Sequence, residues 1–455
     1  MTAIRTCECC SDDITFLPSG TFTAEGSEGI LDYMQSIGKL PISSNPLVVH
    51  KYGGTSVGDI ERIKKVAGRI AHEVSKGQKV VVAVSAMGNS TDRLVSMALE
   101  ISSRPTLREL DVLLASGEQQ SMTLLVLALI ELGVSARSFT GGQAGFLTND
   151  TYGRAQIIEV NPKYVREVLK EYDVVVVAGF QGVTEKGDIT TFGRGGSDTT
   201  AVALAASLGA RVCEIYTDTE GVYTTDPHLV PNARKLDRID YQEMLEMAAL
   251  GADVLHPVSV WYARRYGVAV HVRSSFSYNP GTLVLDIDVE EKVKTDKSVT
   301  GVTLDRKHAR INVVEVPDQP GVAAELFLVL GVASIGVDMI IQGVPGADSS
   351  RQQMSFTVRE DSVDEAMEAI APTLARLGGR AEVDREIAKL SIVGIAVGST
   401  PGVPAKMFEA VASVGANIEM ISTSEVRVSV VISDDFAVEA LRVVHEAFEL
   451  CDESA

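Results

Sequence analysis

Two strand patterns stand out along the chain. Lys79–Ser85 (KVVVAVS) and Asp173–Gly179 (DVVVVAG) are unbroken apolar runs, as expected for strands covered on both faces. Leu47, Val48 and Val49 open a shorter run of β-forming residues that ends at the glycine pair Gly53 and Gly54. Further strands are predicted at 134–139, 211–217 and 268–272, and a hairpin over 180–184 and 187–191. Between them the periodicity predicts helices over 59–76, 90–102, 106–132, 162–171, 198–209, 240–249 and 256–266. The third of these is expected to break near Gly117. Alternation of this kind from 47 to about 285 predicts an α/β sandwich with a mostly parallel sheet. Ligands then bind beyond the C-terminal ends of the strands.

The last third changes pattern. Residues 310–358 read strand, helix, strand, strand, with a helix at 362–377, and residues 388–432 repeat the pattern with a helix at 435–449. PGVAAELF at Pro320 and PGVPAKMF at Pro401 are 81 residues apart, as are VDMI at Val337 and IEMI at Ile418. An in-register repeat marks a duplicated unit, here with a ferredoxin-like βαββαβ order. Residues 1–46 are rich in Ser, Thr, Gly and acids. They read as a partly disordered extension with one short helical piece and an SSNP linker.

Composition narrows the function classes. A length of 455 residues suggests about three domains, and 45 % apolar with 22 % charged residues is ordinary for a soluble globular chain. A net charge of −20 argues against nucleic-acid binding, which needs clustered Lys and Arg. No apolar run is expected to span a membrane, and the acidic N-terminus lacks the basic start and apolar core of a signal peptide. A cytoplasmic location follows. Of five cysteines, Cys7, Cys9 and Cys10 cluster without a fourth ligand nearby, so exposed thiols on a tail are expected rather than a metal site.

Three stretches carry candidate chemistry. In LVVHKYGGTSVG, Lys51 ends a strand and Gly53 and Gly54 let a ligand approach the backbone. Thr55 or Ser56 could cap the following helix, whose N-terminus would favour an anion. The alternative is an ordinary βα turn with a surface lysine. The spacing is not that of a P-loop. In Phe192–Asp198 (FGRGGSD), Arg194 could grip a carboxylate with two bonds and Asp198 could orient a lysine. The alternative is a tight turn capped by Ser197 or Asp198. Tyr216–Asp226 (YTDTEGVYTTD) offers acids and hydroxyls at a strand end, suited to a nucleotide or Mg²⁺, or to no more than a polar loop. Glu118 in SGEQQ reads, on its own, as a surface carboxylate. Two anion cradles, a lysine, an arginine and carboxylates together suit phosphoryl transfer, where catalysis is mostly positioning and charge neutralisation.

LVVHKYGGTSVGDIERI, VSAMGNSTDRL, LLASGEQQS, TFGRGGSDTTAVALAASLGA, YTDTEGVYTTDP and LGADVLHP resemble the aspartate kinase family of the amino-acid kinase fold. The C-terminal repeats resemble its paired ACT domains. The resemblance covers residues 47–450. It implies a three-layer amino-acid kinase sandwich over 47–290 and ferredoxin-like ACT units over 300–380 and 388–452. It implies ATP-dependent phosphorylation of the β-carboxylate of L-aspartate to 4-phospho-L-aspartate, with Mg²⁺ accompanying ATP and no metal site built by the protein alone. Lys51 would neutralise the transferring phosphoryl group, Gly53 and Gly54 would hold its oxygens, and Asp198 would orient Lys51. Ser85, Thr91 and Glu118 would position aspartate, and Arg194, with Gly196 and Ser197 close by, would bind its α-carboxylate. Tyr52, Thr217, Asp218, Tyr223, Thr224, Thr225, Asp226, Asp253 and Val254 would line the nucleotide site. An amino-acid effector, lysine or threonine, would sit at Asp318, Gln319, Gly321, Val322, Ala323, Val337, Asp338 and Gln342, facing Asn417 and Ile418. The ACT units would join chains into a homo-oligomer.

Two positions depart from the family pattern. Asp253 replaces the lysine of G-A-K-V-L-H, and His228 replaces the arginine after T-D-P. One unit-charge interaction at 4 Å and an effective dielectric near 20 is about 4 kcal/mol, and each 1.36 kcal/mol is about tenfold in rate. Alternative readings are therefore an impaired homologue acting as an amino-acid sensor or regulatory subunit, or a kinase for a related acidic amino acid.

Overall fold

The computed structural model describes residues 47–252, 254–287, 298–343 and 351–452. The extension 1–46, with Cys7, Cys9 and Cys10, and Asp253 lie outside them.

The first strands and helices are β1 (Leu47–Tyr52), α1 (Ile60–Ser75), β2 (Lys79–Val84), α2 (Ser90–Ile101), α3 (Leu107–Glu131), β3 (Ala136–Phe139), β4 (Phe146–Thr148) and β5 (Ile157–Val160). Then come α4 (Lys163–Val168), β6 (Val174–Ala178), β7 (Gln181–Val183), β8 (Ile189–Thr191), α5 (Gly196–Leu208) and β9 (Val212–Thr217). The layer closes with β10 (Arg238–Asp240), α6 (Tyr241–Ala249), α7 (Pro257–Tyr266), β11 (Ala269–Ser274) and β12 (Thr282–Leu285). Eight strands form one sheet in the order β10-β12-β11-β9-β1-β2-β6-β3, parallel except where β11 meets β12. The expected hairpin forms as β7 and β8, in a small second sheet with β4 and β5.

Strand alternation explains the three layers. Val80, Val82 and Val84 of β2 and Val174, Val176 and Ala178 of β6 pack with Ile63, Val66 and Ile70 of α1 and Leu125 and Leu129 of α3. Their neighbours Val81, Ala83, Val175 and Val177 face the other way, into the core cluster that α5 covers here and that extends to α6 and α7. Both faces are covered, which is why these strands read as unbroken apolar runs.

Helix α3 corrects two expectations. It runs through Gly117 without a break. A Cβ at Gly117 would stand 2.9 Å from that of Ala86, so the glycine serves the close approach of the turn after β2, not a kink. Its 25 residues also make it, by length and composition, long and apolar enough to cross a membrane. It carries buried Asp111 and Glu118 and packs on the sheet, as a core helix does.

The remaining chain forms β13 (Gly301–Asp305), β14 (His308–Pro317), α8 (Val322–Val332), β15 (Val337–Gln342), β16 (Arg351–Arg359), α9 (Val363–Leu377) and β17 (Arg380–Asp384). The second unit follows as β18 (Ile387–Val393), α10 (Val403–Ser413), β19 (Met420–Thr423), β20 (Arg427–Ser433) and α11 (Ala437–Ala447). The sheets run β15-β16-β14-β17 and β13-β18-β20-β19. The first unit supplies its own fourth strand. The second takes β13, from before the first unit, in the equivalent place. Gly301–Asp305 therefore pairs with the second sheet, although the sequence groups it with 300–380. Among the described residues after α11, Cys451 pairs with Ala233 and not with the second sheet.

Candidate active site

The sheet order sets the C-terminal ends of β11, β9, β1 and β2 side by side. At the end of β1, Lys51 turns toward α5, where its ammonium lies 2.7 Å from Asp198 Oδ1, with 13 % and 9 % of the two side chains exposed. The Gly53 N–H donates to the Tyr216 carbonyl at 3.3 Å, tying this turn to β9. A Cβ at Gly53 would stand 3.3 Å from Lys51 Nζ, so the glycine keeps space open beside the ammonium. At Gly54 a Cβ would approach the Ala86 carbonyl oxygen to 3.0 Å, because the turns after β1 and β2 are packed together.

The two helix starts behave differently. Asp59, not Thr55 or Ser56, caps α1 and accepts the Arg62 N–H at 2.8 Å. A carboxylate already fills that N-terminus, so it is no anion site. At α5 the preceding residue is Gly195 with φ +68°, and no side chain caps the helix. The Gly196 N–H donates to the Gly193 carbonyl at 3.2 Å, and the Ser197 and Asp198 amides, with the helix dipole, favour an anion beside the Lys51–Asp198 pair. Neither Ser197 nor Asp198 acts as the cap, which removes the capped-turn alternative.

Arg194 is exposed and carries no ion pair among the described residues. His256, which sequence reasoning passed over, packs under this loop: a Cβ at Gly195 would fall 2.1 Å from the His256 Cβ. Burial lowers the His256 pKa, the Arg194 charge lowers it further, and Asp198 opposes both. Lys51, Asp198, His256 and Arg194 thus share one electrostatic neighbourhood. The signal for His256 was its place immediately before Pro257, which starts α7.

Glu118 is buried rather than on the surface. Its Oε1 accepts the Ala86 N–H at 3.1 Å, and Oε2 has no hydrogen-bond partner among the described residues. Burial pushes its pKa up to about 7 against the Ala86 hydrogen bond, which lowers it. The nearby Ser121 hydroxyl donates to the Ser85 carbonyl at 2.6 Å. Ser85 and Thr91 flank the same turn, both half-buried.

Residues 46–274 match the model of the amino acid kinase family, and residues 311–374 and 390–448 match an ACT domain. The aspartokinase of Thermus thermophilus is 61 % identical over 404 residues, spanning 89 % of this chain and 99 % of the relative. The chain belongs to the aspartokinase family. The Pseudomonas aeruginosa aspartokinase is 47 % identical over 89 % of this chain and 98 % of its own. Among solved structures, aspartokinase III of E. coli with aspartate and ADP aligns at a TM-score of 0.75 and 27 % identity, covering 88 % of this chain and 99 % of that one. The same enzyme with lysine and aspartate aligns at 0.69 and 26 % identity, covering 89 % and 100 %.

Within this aspartokinase-family site two of the residues expected at the nucleotide, Tyr52 and Thr224, turn their side chains elsewhere, which leaves their backbone as the part that could meet it. Tyr52 is fully buried and stacks on Tyr216 with ring centroids 4.7 Å apart. Successive strand residues face opposite ways, so Lys51 reaches the site and the Tyr52 ring cannot. Thr224 is also fully buried, with Oγ1 2.8 Å from Nε2 of His445 in α11, so its side chain faces the second ACT unit. Thr217 and exposed Asp218 sit at the end of β9, where the Thr217 hydroxyl donates to Asp218 at 3.1 Å. Tyr223 packs against the second ACT core, Thr225 is buried, and exposed Asp226 accepts the His228 N–H at 2.9 Å. Val254 packs against the catalytic core.

At the proposed effector positions, Gly321 and Gly402 start α8 and α10 at φ +103° and +87° with no side-chain cap. Asp338 is already paired with the buried Lys389 of the second unit, and Gln342 bonds Gln352. Arg310 of the first unit pairs with Glu419 of the second. Asp338 and Glu419 occupy matching places in the repeat, so the two ion pairs are reciprocal. Asp318, Gln319, Asn417 and Gly321 are exposed, Val322 is buried, and Ala323, Val337 and Ile418 are half-buried. Among the described residues no hydrogen bond or ion pair joins Asp318–Ala323 to Asn417 or Ile418.

Proposed function

We propose that the chain catalyses ATP-dependent phosphorylation of the L-aspartate β-carboxylate, giving 4-phospho-L-aspartate and ADP, under control of an amino-acid effector at the ACT units. The observation that supports this most is the Lys51–Asp198 pair, 2.7 Å apart, at the start of α5, where no side chain caps the helix, with the exposed Arg194 nearby. A β-carboxylate oxygen forms the new bond to the γ-phosphorus as the β,γ-bridging bond breaks. Lys51 and the α5 amides stabilise the equatorial oxygens, where most of the charge lies. Asp198 fixes the ammonium and leaves less orientation to be found in the transition state. Arg194 takes the α-carboxylate in a two-bonded clamp, and Glu118 Oε2, without a partner among the described residues, accepts from the α-ammonium. Ser85, Thr91, Gly196 and Ser197 complete the aspartate side.

No group of three or more His, Cys, Asp or Glu side chains among the described residues could hold a metal ion by itself. Exposed Asp218 and Asp226 fit a Mg²⁺ that arrives with ATP, since Mg²⁺ is commonly held by one or two carboxylates and the phosphates. When bound it neutralises β- and γ-phosphate charge. The effector would be lysine or threonine, the ACT units would join chains into a homo-oligomer, and the enzyme would act in the cytoplasm.

A coupled assay of ADP release with aspartate and Mg-ATP tests it, with turnover of about 1–10³ s⁻¹ expected. Silence alongside measurable aspartate or threonine binding would support a sensor or regulatory subunit. Asp253→Lys separates the causes: a large gain in rate would show that the acid at 253 cripples the native site.

A further inference from the structure

Thr224 sits in the loop after β9 that the functional reading gives to the nucleotide. Every polar group it has is nevertheless held from the regulatory side or from the loop itself. Its Oγ1 lies 2.8 Å from His445 Nε2 and donates toward the Leu450 carbonyl at 3.1 Å, while the Arg234 N–H donates to it at 3.1 Å. The Thr224 N–H donates to the Arg234 carbonyl at 2.9 Å, and its own carbonyl accepts the Val302 N–H at 2.7 Å. His445 is wholly buried in α11, and Val302 belongs to β13, the borrowed strand of the second ACT sheet.

The chain beyond Thr224 stays in that unit. Val230 and Ala233 are part of the second ACT core. The Arg442 guanidinium donates to the Leu229 carbonyl at 3.1 Å, and the Asp452 N–H donates to the Asn232 carbonyl at 2.9 Å. This is a built junction rather than a surface contact. Burial, with Arg234 adding to it, lowers the His445 pKa to about 4, so the ring is neutral at physiological pH and offers one donor and one acceptor.

We propose that His445 is a positioning residue for the nucleotide: through Thr224, the second ACT unit fixes the orientation of Thr225 and Asp226 at the ATP subsite. The inference rests on the nucleotide reading of residues 223–226. His445 touches no reacting atom. Removing its bond leaves the Thr224 backbone bonds in place, so the loop reorients without unfolding.

The test compares His445→Leu and Thr224→Val with His445→Gln and Thr224→Ser, and with the Leu/Val double variant. Each of the first two is expected to raise the KM for ATP about tenfold, the worth of one buried hydrogen bond. The kcat and the KM for aspartate should stay within twofold. The Gln and Ser variants should remain within threefold of the native enzyme, and the double variant should be no worse than either single one. A folded His445→Leu and Thr224→Val that melt lower but keep the native KM for ATP would overturn the inference, as would independent, multiplying effects in the double variant. Should His445→Leu fail to fold, Thr224→Val, which removes no buried volume, decides with Thr224→Ser. Calorimetric Mg-ADP affinity on the same proteins reads the inference without turnover. A native chain with no aspartate-dependent ADP release would instead count against the functional reading.

Discussion

Replacing Glu118 with Gln tests the aspartate side at its most perturbed group. The carboxyl is buried, Oε2 has no hydrogen-bond partner among the described residues, and its pKa is raised from 4.5 to about 7 chiefly by burial. Between those values the folded chain keeps a proton that the unfolded chain has released. Stability therefore falls as pH rises through the window and levels off above about 7. A shift of this size corresponds to about 3 kcal/mol by pH 8. Gln fills the same volume and can accept the Ala86 N–H, but it binds no proton. Paired melts should show Glu118→Gln close to native near pH 5 and more stable by up to about 3 kcal/mol at pH 8. Function should move the other way. An α-ammonium at Oε2 favours the carboxylate, so binding must expel the proton at low pH. The native KM for aspartate should rise about tenfold per pH unit below 7. The variant should bind aspartate weakly at every pH, losing about 2–5 kcal/mol for a broken buried charge pair, with a flat profile. A native KM that does not change between pH 6 and 8, together with equal melts at both ends, would refute the reasoning.

Three further changes probe other links. Lys51→Met removes the charge beside the transferring group and should lower kcat by about 10³, read by single turnover, because one such charge is worth about 4 kcal/mol. Gly117→Ala should raise the KM for aspartate and cost about 1–3 kcal/mol in a melt, since its Cβ would lie 2.9 Å from that of Ala86 and must displace the turn. Asp338→Leu leaves the Lys389 ammonium buried without its partner and should destabilise the ACT region by about 3–5 kcal/mol, with Lys389→Met added in the same chain recovering most of the loss on denaturation.

The layered core was legible because it is periodic. Val80 to Val84 alternate between two helical layers, and that doubled coverage is what an unbroken apolar run records. The repeat was legible because both units reuse one helix start, with Gly321 and Gly402 at positive φ. The site was legible only in part. Lys51, Asp198 and Arg194 stand in or beside glycine-rich turns whose composition advertises close approach. Glu118 carries no such mark, since burial of a helical carboxylate depends on what packs over it. Gly117 misled for a related reason: a glycine in a helix can signal a bend or a neighbour too close for a Cβ, and the sequence does not distinguish them. The contacts that His256 and Thr224 make, with Gly195 and with His445, join residues distant in the chain, and a local pattern does not show them.

The missing fourth strand of the second ACT unit explains how the halves of the molecule are joined. A self-sufficient unit would close its sheet with residues after α11 and could then tilt as a body on a linker. Here β13 enters the sheet from the catalytic side, and the residues after α11 leave it to pair with Ala233. Thr224 lies between the two crossings, its carbonyl bonded to Val302 of β13 and its hydroxyl to His445 of α11. The first unit meets the second through the reciprocal Lys389–Asp338 and Arg310–Glu419 pairs and the Met339–Met420 contact. A change in how the two units sit against each other must therefore strain either those ion pairs or the Thr224 junction. At the junction the Thr224 hydroxyl and carbonyl are bonded to buried partners on the second sheet and α11, so displacement of the second sheet is passed to the loop carrying Thr225 and Asp226. Had the second unit kept its own fourth strand, the same displacement could have been absorbed in the linker, and the nucleotide loop would not have sensed it.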